Sequence, residues 1–312
     1  MSAVKGLQMV TLMAALSVIA VPAAPEGLVA QQPVFRSAVD LVAVTATVRD
    51  RRGRIITDLS REDFEIYDAG TVRPIVEFHA ADAGPVSLAL LLDVSGSMRL
   101  SSNLVNGRDF LHHLVSWFEG GRDEAALFAF DRDLREIVPF TTDHGQLRAA
   151  LETVEPYGVT SLYDAIAQTA ERIAAEPVRR RAIVVLTDGV DTASRLTAPE
   201  VSGIAGSIAV PVYVVALLSP LDDPGGSGSI VGSIETEVTT NLTNLAYWTG
   251  GELFTVSTSV QASLAVRRLL TGLRHQYLLA FEATGDSGWR RLDVRTRRNE
   301  FVVSARGGYF AG

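Results

Sequence analysis

Ser87-Leu88-Ala89-Leu90-Leu91-Leu92-Asp93-Val94-Ser95-Gly96-Ser97-Met98 decides the fold. A half-exposed strand would alternate apolar and polar residues. The uninterrupted run Ser87–Leu92 instead predicts a strand covered on both faces. Its end changes character at once, to one carboxylate and two hydroxyls in a D-x-S-x-S triplet, with Gly96 allowing a tight turn that brings the three oxygens inward.

Downstream, the pattern alternates between strand and helix. Apolar residues at helical spacing predict a helix over Asn106–Glu119, followed by strands at Ala125–Phe130 and Glu136–Phe140. Asp143 is placed to cap a helix reaching Glu155, and Ser161 to cap another reaching Ala175. Ala182–Leu186 and Pro211–Leu217 are again buried-strand runs, with a helix starting at Pro199 between them. Asn241–Thr249 and Ser259–Arg274 read as helices flanking a short strand at Glu252–Phe254. Pro220–Thr239, rich in glycine and serine, reads as a mobile loop. The fold class is α/β: a doubly wound, mostly parallel sheet with helices on both faces.

On either side the period is that of strands. Val39–Val48, Phe64–Tyr67 and Ile75–Phe78 precede the α/β region, and Tyr277–Phe281, Arg291–Val294 and Phe301–Val303 follow it. Segments 36–82 and 276–310 are each too short to bury a core alone. Their simplest arrangement is one antiparallel β-sandwich with the α/β domain, 85–274, inserted between its halves. Residues 1–30 have the parts of a secretory signal: Lys5, then an apolar run from Leu7 to Ala24 that ends in small residues. Pro22, Gln8 and Thr11 argue against a membrane anchor, so the expectation is a secreted or periplasmic protein with no transmembrane helix after signal removal.

Composition excludes several chemistries. The chain has 312 residues and no cysteine, which removes disulfides, thiolate zinc sites, iron–sulfur clusters, cysteine nucleophiles and a cysteine lipid anchor together. The net charge of −8 lacks the footprint of a nucleic-acid binder. Residues 261–312 run the other way, with nine arginines against four acidic residues. Such a run could meet an anionic polysaccharide, a lipid headgroup or an acidic partner, but Arg291, Arg295 and Arg297 also fit the wet face of an exposed strand. The five histidines show no metal-ligand spacing, and there is no G-x-S-x-G elbow.

What remains sits at the ends of predicted strands. Asp93, Ser95 and Ser97 follow the first buried strand, and Asp188 follows the second in Leu186-Thr187-Asp188-Gly189. Thr160, in Gly158-Val159-Thr160-Ser161, enters the helix that holds Tyr163 and Asp164. Open α/β sheets bind ligands beyond the carboxyl ends of their strands. Two carboxylates and three hydroxyls are hard oxygen donors suited to Mg²⁺, or to Mn²⁺ or Ca²⁺. With only two anionic ligands the metal stays electrophilic, and an open position would attract a carboxylate from a protein partner. Taken singly, each piece has a plainer reading: a polar turn, a helix cap for Thr160, a turn for Asp188-Gly189.

The three pieces together resemble the metal-ion-dependent adhesion site of von Willebrand factor type A domains. The likeness spans roughly Pro85 to Arg274 and extends to Leu245-Ala246 with Thr249-Gly250-Gly251-Glu252-Leu253-Phe254. Leu59, Asp63-Phe64-Glu65-Ile66 and Arg306-Gly307-Gly308-Tyr309 make the whole chain similar to a bacterial secreted subgroup with flanking β segments. The resemblance implies that Ser95, Ser97 and Thr160 supply hydroxyl oxygens to the metal, with Asp93 and Asp188 acting directly or through water. It implies a non-enzymatic adhesion or scaffold protein, and a last helix, Ser259–Arg274, able to pass motion into the adjoining β segment. Two other readings stand beside it. One is a structural module whose metal site is stabilising or vestigial. The other is a Mg²⁺-dependent phosphotransferase using Asp93, which Ser95 disfavours because such chemistry wants a second acid there.

Overall fold

A computed structural model describes residues 41–311, apart from 101–102, 157, 175–179, 189–190, 208, 219–232, 284 and 286. The expected leader, the first two residues of the Val39–Val48 strand and most of the 220–239 loop lie outside the described residues. In chain order, β1 (Leu41–Asp50), β2 (Phe64–Asp68), β3 (Thr71–Arg73) and β4 (Ile75–His79) come first. Then follow β5 (Val86–Asp93), α1 (Gly96–Leu100), α2 (Asn103–Ser116), β6 (Glu124–Phe130), β7 (Leu134–Thr141), α3 (His144–Leu151) and α4 (Leu162–Ala174). After them run β8 (Arg180–Thr187), α5 (Ala198–Ser207), β9 (Val212–Leu217), α6 (Ser233–Thr249), β10 (Leu253–Val256) and α7 (Ser259–Arg274). The chain closes with β11 (Tyr277–Glu282), β12 (Gly288–Thr296), β13 (Phe301–Ala305) and β14 (Gly308–Ala311).

The central sheet has the order β10-β9-β8-β5-β6-β7 and is parallel except for β7, which returns from β6 without an intervening helix. Every residue of β5 is buried, as its apolar run requires. Alternation along it feeds two cores. Leu88, Leu90 and Leu92 pack with Phe110, Leu114, Leu269 and Leu273 from α2 and α7. Ala89 and Leu91 pack with Ile166, Ala170 and Val201 from α4 and α5. Both faces of the parallel sheet are thus sealed, which places the open edge of the domain at the strand ends.

The flanking strands form two further sheets, β13-β1-β11-β4 and β14-β12-β2-β3, each mixing N-terminal with C-terminal strands. Their shared core centres on Phe64, Ile66, Tyr277, Phe281 and Tyr309. Tyr277 pins a long segment to it, accepting from the Leu59 amide at 3.1 Å and donating to the Ile56 carbonyl at 3.0 Å. Asp68, fully buried, accepts two bonds of 2.8 Å from Arg290 and one of 3.1 Å from Tyr309. The exposed arginines are largely paired: Arg295 with Asp293, Arg297 with Glu65 and Arg298 with Asp63.

Two seams join these sheets to the α/β layers. At the first, β1 is half-exposed over its first residues and then buried, because α7 covers it. Thr47 donates to the Gly272 carbonyl at 3.1 Å, and Arg49 to that of Arg268 at 2.8 Å. At the second, Trp289 and Phe310 stack edgewise at 5.3 Å beside α5, with Trp248 of α6 at 5.8 Å from Trp289. Arg306 bonds the carbonyls of Gly206 and Ala43 across this seam.

Several boundaries differ from expectation. Helix α2 starts three residues earlier and ends three residues sooner than Asn106–Glu119. Helix α3 stops at Leu151 rather than Glu155, although Asp143 caps it as expected, accepting from Gly145 and Gln146. Helix α6 begins at Ser233, inside the stretch read as a loop. Strands β3 and β14 have no counterpart in the sequence reading.

Candidate metal centre

The site is built where β5 and β8 end side by side. They run parallel in the register Leu92 with Leu186, which sets Asp93 level with Thr187 and puts Asp188 one residue beyond. The Thr187 hydroxyl donates to Asp93 Oδ2 at 2.6 Å. The Ser95 amide donates to Asp93 Oδ1 at 2.8 Å, which bends the chain back over the carboxylate. The Ser95 and Ser97 hydroxyls then lie 3.0 Å apart, Ser95 buried and Ser97 exposed.

Thr160 is brought in by backbone. The Gly96 amide donates to the Gly158 carbonyl at 3.0 Å, and a Cβ on Gly96 would approach that oxygen to 3.3 Å. Gly158 itself has φ +93°, where a side chain is strained. The loop therefore passes close over the D-x-S-x-S turn and delivers Thr160, nearly fully buried, two residues later. Its carbonyl accepts from the amides of Thr192 and Ala193 at 3.0 Å.

Ser161 stands at the N-cap position of α4, as expected, and its carbonyl accepts from the Ala165 amide at 3.0 Å, but the first helical amides go to side chains of the loop after β8. Leu162 donates to Asp191 Oδ1 at 2.8 Å, and Tyr163 and Asp164 donate to Ser194 Oγ at 3.0 and 3.2 Å. Ser194 in turn donates to Asp191 at 2.6 Å, and Asp164 accepts from the Arg195 and Leu196 amides. With these amides satisfied, the helix does not draw on Thr160 as a cap. Sequence reasoning missed Thr187, Asp191, Thr192 and Ser194. Thr187 was visible beside Asp188 at the strand end, but its role follows only from the strand register.

Electrostatically the site is strained. Burial pushes the Asp93 carboxyl up to about 6, and the charge of Asp188 adds to this, against the bonds from Thr187 and Ser95. Asp188 Oδ1 is buried and accepts no hydrogen bond among the described residues. A buried carboxylate oxygen with no donor is costly, and costlier beside a second carboxylate. A cation coordinated by both groups would relieve the two penalties together. The donor set suits a hard divalent ion: two carboxylates with the hydroxyls of Ser95, Ser97 and Thr160. Among the described residues there is no group of three or more His, Cys, Asp or Glu side chains able to hold a metal. The histidines lie elsewhere, His112 on Glu152, His113 on Ser263 and His144 on the Asp123 carbonyl.

Comparison with known proteins places this site within a recognised segment. No curated protein matches the chain. Among solved structures, the conserved hypothetical protein BatB from Bacteroides thetaiotaomicron is 20% identical, with 60% of this chain and 98% of that chain covered and a TM-score of 0.49. A von Willebrand factor type A protein from Catenulispora acidiphila is 10% identical, covering 88% of this chain and 75% of its own, at a TM-score of 0.49. The PilB minor pilin from Streptococcus sanguinis is 14% identical over 62% of each chain, at 0.44. Residues 88–190, which include Asp93, Ser95, Ser97, Thr160 and Asp188, match the family model of the von Willebrand factor type A domain.

Proposed function

We propose that this chain is an exported, non-enzymatic adhesion or scaffold protein that binds a protein ligand through a divalent cation at the edge of its α/β layer. The observation that carries the reading is the pairing of Asp93 with Asp188: two adjacent carboxylates, one fully buried and the other with a buried oxygen that has no donor among the described residues. Asp93, Ser95, Ser97, Thr160 and Asp188 would hold the ion, which is Mg²⁺ by the preference of this donor set, with Mn²⁺ or Ca²⁺ as substitutes. The bound ion supplies Lewis acidity toward an incoming carboxylate. Asp93 and Asp188 supply the negative charge, Thr187 and the Ser95 amide hold Asp93 in place, and the Asp191–Ser194 loop holds Thr160. The match of residues 88–190 to the von Willebrand factor A family supports this assignment. The leader-like residues 1–30 support secretion or periplasmic residence. No helix among the described residues is long and apolar enough to cross a membrane.

Thermal melting with Mg²⁺, Mn²⁺, Ca²⁺ or EDTA, beside Asp93→Ala, tests the site. Metal at a hundred times its dissociation constant stabilises a folded state by about 2.7 kcal/mol. The parent should show that shift and the variant should lose it. A parent that melts identically in Mg²⁺ and EDTA, with no binding by direct titration, overturns the proposal.

A further inference from the structure

Between α2 and the turn that leads from β10 into α7 lies a cleft of about 560 Å³, and none of the five candidate metal ligands lines it. Fully buried Phe110 closes its base. Asn106, Asp109 and His113 line it from α2, and Ser259 and Ser263 from α7. The histidine and Ser263 meet at 3.0 Å, tying the two helices together at this point. Beside them Trp117 stands edgewise to His113 at 6.3 Å, with 47% of its surface exposed.

The chemistry of the lining selects among ligand classes. All but one of the chain's 28 cationic residues are arginines, yet none of them lines the cleft, while Asp109 does. A phosphate, sulfate or carboxylate would meet the Asp109 carboxylate with no arginine to offset it, while His112 and His113 are engaged by Glu152 and Ser263. An apolar ligand would strip water from the amide, the carboxylate and the hydroxyls without returning hydrogen bonds. A neutral polyhydroxylated molecule meets neither penalty. The side chains of Asn106, Asp109 and Ser259 make no hydrogen bond among the described residues. Together they offer an acceptor-only carboxylate, an amide that both donates and accepts, and a hydroxyl that does either, the set that adjacent sugar hydroxyls satisfy. The exposed indole adds an apolar plane for the C–H face of a pyranose ring.

We infer that this cleft binds a neutral saccharide, independently of the metal centre. The test is an array of neutral, sialylated and sulfated glycans probed with the full chain in EDTA. Retention on neutral glycans is expected. It should weaken about tenfold or more in Asp109→Asn and in Asn106→Ala, for loss of a charge-assisted or an amide hydrogen bond. It should be unchanged in Asp93→Ala, so failure of the metal proposal leaves this one standing and the reverse. Asp109 is exposed and Asn106 half-buried on the outer face of a helix, so both variants should melt with the parent. Should either melt lower, Ser259→Ala takes its place. No retention on neutral glycans, a preference for the sulfated or sialylated ones, or retention indifferent to these substitutions overturns the inference.

Discussion

Asp93→Asn separates the electrostatics of the site from its packing. In the metal-free protein the Asp93 carboxyl titrates near 6, against an ordinary value of 3.8. The folded state therefore binds its proton more tightly than the unfolded chain does. Stability from this group is intact below about pH 4, is lost as pH rises toward 6, and stays lost above it. At 1.36 kcal/mol per unit, the buried charge costs about 3 kcal/mol at pH 7.5. Asparagine keeps the shape, and its oxygen can accept from the Ser95 amide as Oδ1 does. Its amide must donate to the Thr187 hydroxyl, which turns from donor to acceptor. In EDTA at pH 7.5 the variant should be more stable than the parent by about 2–3 kcal/mol, and at pH 4 the two should coincide. Urea melts of both proteins in EDTA from pH 4 to 8 measure this, because their difference cancels every other titrating group. Mg²⁺ at a hundred times its dissociation constant should raise the parent by about 2.7 kcal/mol, closing the gap, and leave the variant unmoved. A variant less stable than the parent in EDTA at pH 7.5, or a difference that does not change with pH, refutes the reasoning.

Two further outcomes follow from packing, one beside this site and one at the far end of the parallel sheet. Asp191→Ala removes the acceptor for the Leu162 amide and the partner of Ser194; it should cost about 1–2 kcal/mol in urea melts, as lost caps do, and weaken the Mg²⁺-induced shift by loosening the loop that carries Thr160. Gly251→Ala would drive a Cβ into the Val212 carbonyl where β10 joins the sheet, and should cost about 3 kcal/mol or more in the same assay, with Gly121→Ala, strained only in φ and with nothing nearby, costing less.

The legible parts of the fold were those with a local cause. The run Ser87–Leu92 announced a doubly covered strand, and the oxygen-bearing residues after it needed only the rule that ligands sit at strand ends. What escaped depended on distant partners. The first turns of α6, Ser233-Ile234-Glu235-Thr236-Glu237-Val238-Thr239-Thr240, are polar and β-branched and adjoin a glycine-serine run, so they resemble a loop. Further along that helix Leu242, Leu245 and Ala246 are buried, which supplies the packing that propensity lacks. Gly307-Gly308-Tyr309 looks like a turn, but β14 forms because Tyr309 is buried and bonds Asp68. Likewise nothing local to Ser161 says that α4 is capped from thirty residues away. Asp93, Ser95, Ser97, Thr160 and Asp188 stand in view as candidate ligands; Thr187, Asp191 and Ser194, whose hydrogen bonds orient Asp93 and the loop of Thr160, come from distant parts of the chain.

The seam between β1 and α7 bears on whether the last helix moves. Helix α7 runs directly into β11, which makes it a natural lever between the candidate-site edge of the parallel sheet and the flanking antiparallel sheets. Its C-terminal half is held by Thr47 on the Gly272 carbonyl and by Arg49 on that of Arg268. Gly272 is what admits Arg49, since a Cβ there would lie 2.7 Å from its guanidinium. A slide of one turn, about 5.4 Å, would bring a residue with a side chain, Arg268 in one direction, to the place of Gly272. Both hydrogen bonds and the packing of Leu269 and Leu273 would have to break first. The expected outcome is that amide exchange over Leu269–Arg274 is equally slow in Mg²⁺ and in EDTA, and that it quickens in Thr47→Val and Arg49→Met. Faster exchange there on adding Mg²⁺ to the parent would show that the clamp yields to the metal and that α7 is a moving part after all.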